Sequence, residues 1–140
     1  MPAELSERCD TIEECYEFML AYAAQGFPVE GSSASGSQIR EFLNRAVNAI
    51  SGLAKCCTEA VKQQDLEPSE RYDAFIGVVG RDARDSLAAI ELVLAQTSIN
   101  SQLIDNLNAS IHLRALLTDL FLLSDIFRQN VRASSASVQT

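Results

Sequence analysis

The single histidine of the chain, His112, is the residue with the widest range of chemical roles. A neutral imidazole can be the base that activates a serine or cysteine nucleophile, or it can accept a phosphoryl group on a ring nitrogen. Nucleophilic catalysis needs that base beside its nucleophile, and one histidine in 140 residues leaves little scope for such a pair. We therefore predict that the chain is not an enzyme, and phosphotransfer through His112 is kept as an alternative.

The residue types that bind metals are few and poorly spaced. Di-iron helical bundles use Glu-x-x-His pairs, but Ala109 stands three residues before His112. Cys56 and Cys57 are adjacent, so on a helix their side chains point about 100° apart, and zinc would need further Cys or His ligands nearby. The remaining cysteines also fall within helical patterns. We expect four reduced, apolar thiols, with no metal and no cofactor.

The net charge of −8 limits the classes of partner. A chain with a pI near 4.5 repels nucleic acids and anionic lipid surfaces, so a protein partner is expected, with no nucleic acid and no membrane. No apolar run reaches the roughly 20 residues of a membrane span, and no signal segment is evident. These features predict a cytoplasmic protein. The acidic residues concentrated near the N-terminus predict a solvated helix face: they are Glu4, Glu7, Asp10, Glu13, Glu14 and Glu17.

The elements that position these residues are helices. The sequence is 47% apolar with few Gly and Pro residues, and apolar residues recur every three or four positions in four segments. This pattern predicts an all-α fold, an antiparallel four-helix bundle that forms one domain over residues 1–132. The predicted helices cover residues 5–24, 38–64, 69–96 and 101–129. Residues 133–140 have nothing to bury and are predicted to form a disordered tail.

The predicted connections follow from turn-forming residues. Residues 25–37 are rich in Gly and Ser, which predicts a long flexible linker between the first two helices. Pro68 interrupts the second helical pattern, and Ser69 can cap the third helix. In the first helix, Thr11 followed by Glu14 has the form of a capping box, which would allow a start later than residue 5.

Two segments in the second half of the chain carry a motif. Residues 75–90 read FIGVVGRDARDSLAAI, and residues 119–126 read DLFLLSDI. The first resembles the phosphotransfer block of sensor histidine kinases, in which a phenylalanine precedes His-Glu/Asp-x-Arg-Asn/Thr-Pro-Leu-x-x-Ile. The second is similar to that family's closing pattern of Asp-Leu-Leu-x-Leu-Ser-x-Ile. The resemblance covers residues 71–128 and implies a helical hairpin of the kind that dimerises these kinases.

The departures from that family pattern concern its chemistry. Arg81 stands where the phosphorylated histidine would be, and a guanidinium stays protonated and offers only hydrogen-bond donors. Asp82 matches the acidic neighbour but has no histidine to polarise. Asp85 replaces the Asn or Thr, and Ser86 replaces the helix-bending proline. The chain also has no room for an ATP-binding domain, so the resemblance implies a hairpin that recognises a partner without transferring phosphate.

We interpret the chain as a non-catalytic regulatory protein of two-component signalling that binds a histidine kinase or a response regulator. The predicted contact residues are Arg81, Asp82, Arg84 and Asp85. The family hairpin pairs with its twin, so we expect a homodimer, although the first two helices could close the bundle within a monomer. Two alternatives stay open: a helical accessory or chaperone-like protein of an unrelated family that binds another enzyme, and a phosphotransfer protein that uses His112.

Overall fold

The structure, a computed structural model, describes residues 1–28 and 34–139, with side chains described for 1–28 and 38–131. Within these residues it contains six α-helices and no β-strand, which confirms the predicted all-α class. The helices are α1 (Ala3–Gln25), α2 (Ala34–Ile50), α3 (Leu53–Gln63), α4 (Ser69–Leu94), α5 (Ser101–Ala109) and α6 (His112–Gln139). Six helices stand where four were predicted because two of the predicted helices are each interrupted once.

The first helix, α1, begins at Ala3, so Thr11 lies inside it rather than at its start. One side of α1 is fully buried, with its residues seven, three, four and three positions apart: Leu5, Ile12, Cys15, Met19 and Tyr22. The helix ends at Gln25 and is followed by Gly26, whose φ of 72° lies in the left-handed region that glycine adopts without steric strain.

A buried polar contact fixes the end of α1 to the start of α5. The Tyr22 hydroxyl donates to the carbonyl oxygen of Ile99 at 3.2 Å. The Ser101 hydroxyl donates to the Tyr22 carbonyl oxygen at 2.7 Å and accepts from the Phe27 N–H at 2.7 Å. These bonds satisfy backbone groups that the end of a helix leaves open, so they hold the turn after α1 in place.

The single helix predicted over residues 38–64 is interrupted, and this expectation is corrected. Gly52, with φ 78°, separates α2 from α3. Arg8 from α1 satisfies the last carbonyl groups of α2, because its Nη1 donates to the Ala49 oxygen at 3.0 Å and to the Ser51 oxygen at 2.6 Å. A left-handed glycine and a guanidinium cap together end α2 where the apolar pattern alone would continue it.

The helix α4 corresponds to the helix predicted over residues 69–96. The peptide bond between Glu67 and Pro68 is cis. The Glu67 carboxylate, rather than the hydroxyl of Ser69, satisfies the start of the helix by accepting from the Ser69 N–H at 3.0 Å. At the other end, Arg40 of α2 donates to the Leu94 carbonyl oxygen at 3.0 Å. Both ends of α4 are therefore fixed by side chains.

The single helix predicted over residues 101–129 is also interrupted, between α5 and α6. The start of α5 is as predicted, because the Asn100 side chain accepts from the Leu103 N–H at 2.8 Å and caps the helix. The break follows from Ile111, whose φ of 64° is incompatible with a right-handed helix. No glycine or proline marks this position, so the sequence pattern runs through it.

Two predicted irregular segments are shorter than expected. The linker predicted over residues 25–37 gives way to helix at Ala34, and its residues 29–33 lie outside the described residues. The tail predicted to be disordered over 133–140 is helical in its backbone as far as Gln139, as the end of α6.

One cluster of buried apolar side chains draws from all six helices. α1 packs against α2, α3, α5 and α6, and α4 packs against α2, α3, α5 and α6. Among the described residues, none of the helices combines the length and the apolar character that crossing a membrane requires. The pair formed by α4 and α6 carries both motif segments on neighbouring helices.

Candidate functional site

The four predicted contact residues lie in the middle of α4. Arg81, Arg84 and Asp85 are exposed, whereas Asp82 is half-buried. A difference of one residue on a helix turns the side chain by about 100°, which is why Asp82 faces a neighbouring helix while Arg81 faces water. The structure therefore brings three of the four residues onto a solvent-facing surface.

Two glycines of α4 leave room beside these arginines. A Cβ atom at Gly77 would lie 3.8 Å from Nη1 of Arg81, and one at Gly80 would lie 3.7 Å from Nη1 of Arg84. Each guanidinium thus lies along its own helix, one turn towards the N-terminus. Gly80 also faces α3, because a Cβ atom there would be in ordinary van der Waals contact with the Cβ of Ala54, at 3.6 Å. The middle of α4 is held against α3 on one side and presents its arginines on another.

Asp82 meets a second carboxyl group, Asp119 of α6, within hydrogen-bonding reach. Burial and the neighbouring Asp82 carboxyl raise the pKa of Asp119 to about 7. The Oδ2 atom of Asp119 is inaccessible to water and has no hydrogen-bond partner among the described residues when both groups are ionised. Two carboxylates offer only acceptors, so a shared proton is what allows one to donate to the other.

The contact between Asp82 and Asp119 was not predicted from the sequence. Asp119 opens the second motif segment and Asp82 lies in the first, but nothing in either segment shows which residues of two helices meet. The register between α4 and α6 is set by the packing of their apolar side chains. A search for acidic residues on the flank of both apolar stripes would have identified the two candidates.

An open apolar groove lies near the acid pair, between the start of α4 and the middle of α6. Its walls consist of Pro68, Arg71, Tyr72, Phe75, Leu122, Leu123 and Ile126. Leu122 is 49% exposed, and Phe121 next to it is 51% exposed. Large apolar side chains that are half exposed and adjacent mark a surface suited to contact with another molecule.

The motif residue Ser86 is buried, with only 1% of its surface exposed. Its hydroxyl has no hydrogen-bond partner among the described residues. It stands where the related kinase pattern has a proline. α4 runs through this position as one helix from Ser69 to Leu94. A serine keeps the backbone N–H that proline lacks, so the helix needs no bend here.

His112 is the first residue of α6 and is exposed. His112 precedes Asp119 by seven residues, which is about two helical turns or roughly 10 Å along the axis. Its position on α6 therefore separates it from Asp119. An accessible imidazole at this end keeps phosphotransfer as a testable alternative.

The cysteines carry no disulfide among the described residues. Burial raises the pKa of Cys9 to about 11. Burial, with a smaller effect of the nearby Cys9, raises the pKa of Cys57 to about 12. Burial likewise raises the pKa of Cys15 to about 11. Thiols with such values stay protonated and are poor nucleophiles and poor metal ligands at neutral pH.

Exposed guanidinium groups, a carboxyl pair and an apolar groove lie along one helix pair, α4 and α6. In the part of the chain that the structure describes, no group of three His, Cys, Asp or Glu side chains is arranged to hold a metal ion. The chain matches no protein-family model, and no curated protein or solved structure is significantly similar to it.

Proposed function

We propose that this chain is a non-catalytic signalling protein that binds a histidine kinase or a response regulator through the outer face of α4 and α6. The observation that carries the proposal is the position of the two motif segments. Residues 75–90 lie on α4 and residues 119–126 on α6, and these two helices pack against each other. A kinase-like hairpin requires this arrangement of the two segments.

The absence of catalysis in this proposal rests on Arg81. Its guanidinium is exposed at the position where the related pattern has the phosphorylated histidine. Arginine remains protonated at any ordinary pH and has no free lone pair for a phosphoryl group. What the surface retains is charge and shape, with Arg84 and Asp85 beside it, and these serve binding.

The same proposal includes the architecture. We infer that α1, α2 with α3, α4, and α5 with α6 form the four arms of an antiparallel bundle, and that two arms contain a break. The α4–α6 face is then available either to a partner or to a second copy of the chain. A homodimer would use that face as the family hairpin does.

Affinity purification from the native cell tests the proposed function. The wild-type chain is expected to co-elute with a histidine kinase or a response regulator. The double variant Arg81→Glu, Arg84→Glu should lose that partner, because two exposed charges on the contact face are reversed. The matched control is Lys55→Glu with Lys62→Glu, which makes the same change of charge on exposed positions of α3.

Three outcomes would contradict the proposal. Co-elution of a metabolic enzyme instead would favour the helical accessory protein. Equal recovery of the partner by the double variant and its control would remove the α4 face from the interaction. Phosphate transferred to His112 from a phosphodonor kinase would show that the chain is a phosphotransfer protein.

A further inference from the structure

The connection between α5 and α6 consists of two residues, Ser110 and Ile111, and its backbone is strained. Ile111 has a φ of 64°, a conformation that is rare for L-residues and rarest for those branched at Cβ. Its side chain is 60% exposed, so packing does little to offset that strain. Isoleucine also has no side-chain acceptor for the free N–H groups at the start of α6. The interruption is therefore unfavourable in itself.

The sequence around this connection favours a continuous helix. No glycine or proline occurs between residues 101 and 129, and the segments on both sides are helical. A continuous helix over residues 101–139 would be about 58 Å long. It would place the buried Ile104 and Leu107 on one side with the exposed Ile111 and Leu122, at spacings of three, four and eleven residues. The apolar stripe of α5 would thus continue into side chains that the interrupted form leaves in water.

The two helices that meet at Ile111 are held by different parts of the fold. α5 packs mainly against α1, where the Ser101 hydroxyl donates to the Tyr22 carbonyl oxygen at 2.7 Å. α6 packs mainly against α4, and α5 and α6 make few contacts with each other. A continuous helix that keeps α5 on α1 therefore breaks little between α5 and α6, but it carries α6 away from α4 of its own chain.

A single copy of the chain cannot make this change without exposing its core. Leu116, Leu120 and Leu123 of α6 are buried, and they would meet water if α6 left the bundle. A second copy removes that penalty, because each α6 can occupy the place that the α6 of the other chain has left. The same contacts then form between two chains instead of within one, and a short strained connection favours such an exchange.

We propose that the chain forms a dimer by exchanging α6, with the α5–α6 connection interrupted in the monomer and continuous in the dimer. The vacated surface is complementary to α6, and a second copy of the chain supplies that same helix, which selects the occupant. The net charge of −8 opposes the approach of two copies, so salt should favour the dimer. This inference goes beyond the proposed function and does not depend on which partner the α4 face binds.

Substitution of Ile111 tests the role of the strain. Ile111→Gly relieves the left-handed backbone of the monomer and weakens the continuous helix of the dimer, so both effects favour the monomer. Relief of this strain changes an equilibrium about 5- to 30-fold at each connection, and a dimer contains two, so its dissociation constant should rise at least ~25-fold. Ile111→Leu is the matched control: it keeps the Cβ and the apolar bulk, so the dimer should persist.

The dissociation constants are measured by size-exclusion chromatography with light scattering. The full chain and both variants are refolded from urea over a series of concentrations, because exchange of a helix between folded monomers requires partial unfolding. The wild type should show a dimer whose share rises with concentration and with salt. Ile111→Gly should fold as a monomer at the concentrations where Ile111→Leu is dimeric.

Cross-linking distinguishes exchange of α6 from association of two intact monomers. Arg71 of α4 and Leu122 of α6 line the same groove, so cysteines at both positions can be joined by a bismaleimide. In an isolated dimer of the Arg71→Cys, Leu122→Cys chain, the link should join two chains on a denaturing gel. The isolated monomer should give only an internal link. The wild-type chain with the same reagent is the control for its native thiols.

Three results would overturn the inference. The first is a chain that stays monomeric after refolding at every concentration and salt level. The second is a dimer whose dissociation constant is the same for Ile111→Gly and Ile111→Leu. The third is an isolated dimer with internal links only, since that pattern belongs to two intact monomers side by side. Capture of a signalling protein by the α4 face is a separate result, so the proposed function and this inference fail independently.

Discussion

Replacing Asp119 by asparagine should stabilise the chain, and more so as the pH rises. Asparagine keeps the shape of the side chain, removes its charge and adds an amide that can donate to Asp82. In the wild-type chain the raised pKa means that the folded state holds a proton that the unfolded state has released. The free energy of unfolding of the wild type therefore falls as the pH rises from about 4 to about 7, and the asparagine variant lacks that loss.

The size of the effect follows from the pKa. Each unit of difference between the folded and unfolded pKa corresponds to about 1.4 kcal/mol, so the interval from 3.8 to about 7 gives an upper bound of about 4 kcal/mol. Asp119 is only half-buried, and water screens the repulsion, so we expect a pH-dependent gain of about 1–2 kcal/mol. In a chain of this length each kcal/mol raises Tm by about 4 °C.

Urea denaturation followed by circular dichroism at about pH 5 and about pH 8 measures this gain. Asp82→Asn should act in the same direction, and the two substitutions together should give less than the sum of their separate effects, because they remove one interaction. Asp125→Asn is the control and should change stability by less than about 0.5 kcal/mol at either pH. A gain for Asp119→Asn that is the same at both pH values would refute the shared proton.

Two further substitutions and one thiol reaction test the packing of α1, α2 and α3. Arg8→Ala removes the cap on α2 and should lower the free energy of unfolding by about 1–2 kcal/mol in urea denaturation, since two carbonyl groups lose their donor. Gly52→Ala forces a Cβ into the left-handed region and should destabilise by about 1–2 kcal/mol, measured in the same way. Cys57, with a pKa raised by burial to about 12, should react with a thiol reagent at least ~10-fold more slowly in the native chain than in urea. Equal thiol rates in both states would contradict its burial.

The helical class and most helix positions could be predicted because amphipathic periodicity is a local property of the sequence. The first helix shows how far this goes: Leu5, Ile12 and Met19 recur every seven residues and are fully buried, but the core also takes Cys15 and Tyr22. A stripe on a helix is more than 100° wide, and the sequence does not show which flank a neighbouring helix covers.

The helix breaks were harder to predict, for two different reasons. Gly52 is a glycine in an otherwise continuous pattern, which is a weak signal because single glycines are tolerated within helices. Ile111 gives no signal at all, since a β-branched residue rarely adopts a positive φ. The turn between α5 and α6 follows from tertiary packing, which a linear pattern does not contain.

In the candidate site, too, some features could be predicted from the sequence and others could not. The exposure of Arg81, Arg84 and Asp85 agrees with their position off the apolar stripe, so their place on a surface could be predicted. The contact of Asp82 with Asp119 could not, because it depends on the register between two helices that are separated in sequence by α5. The pair is therefore a property of the fold, and the individual acids are a property of the sequence.

Cross-linking in the native cell tests the central claim that the α4 face binds a signalling protein. A photo-reactive residue at position 85, on the exposed side of α4, should capture a histidine kinase or a response regulator. The same residue at position 17, an exposed acidic position of α1, should not. Capture of that partner from position 17 alone, or capture of an unrelated enzyme from position 85, would contradict the proposed binding surface.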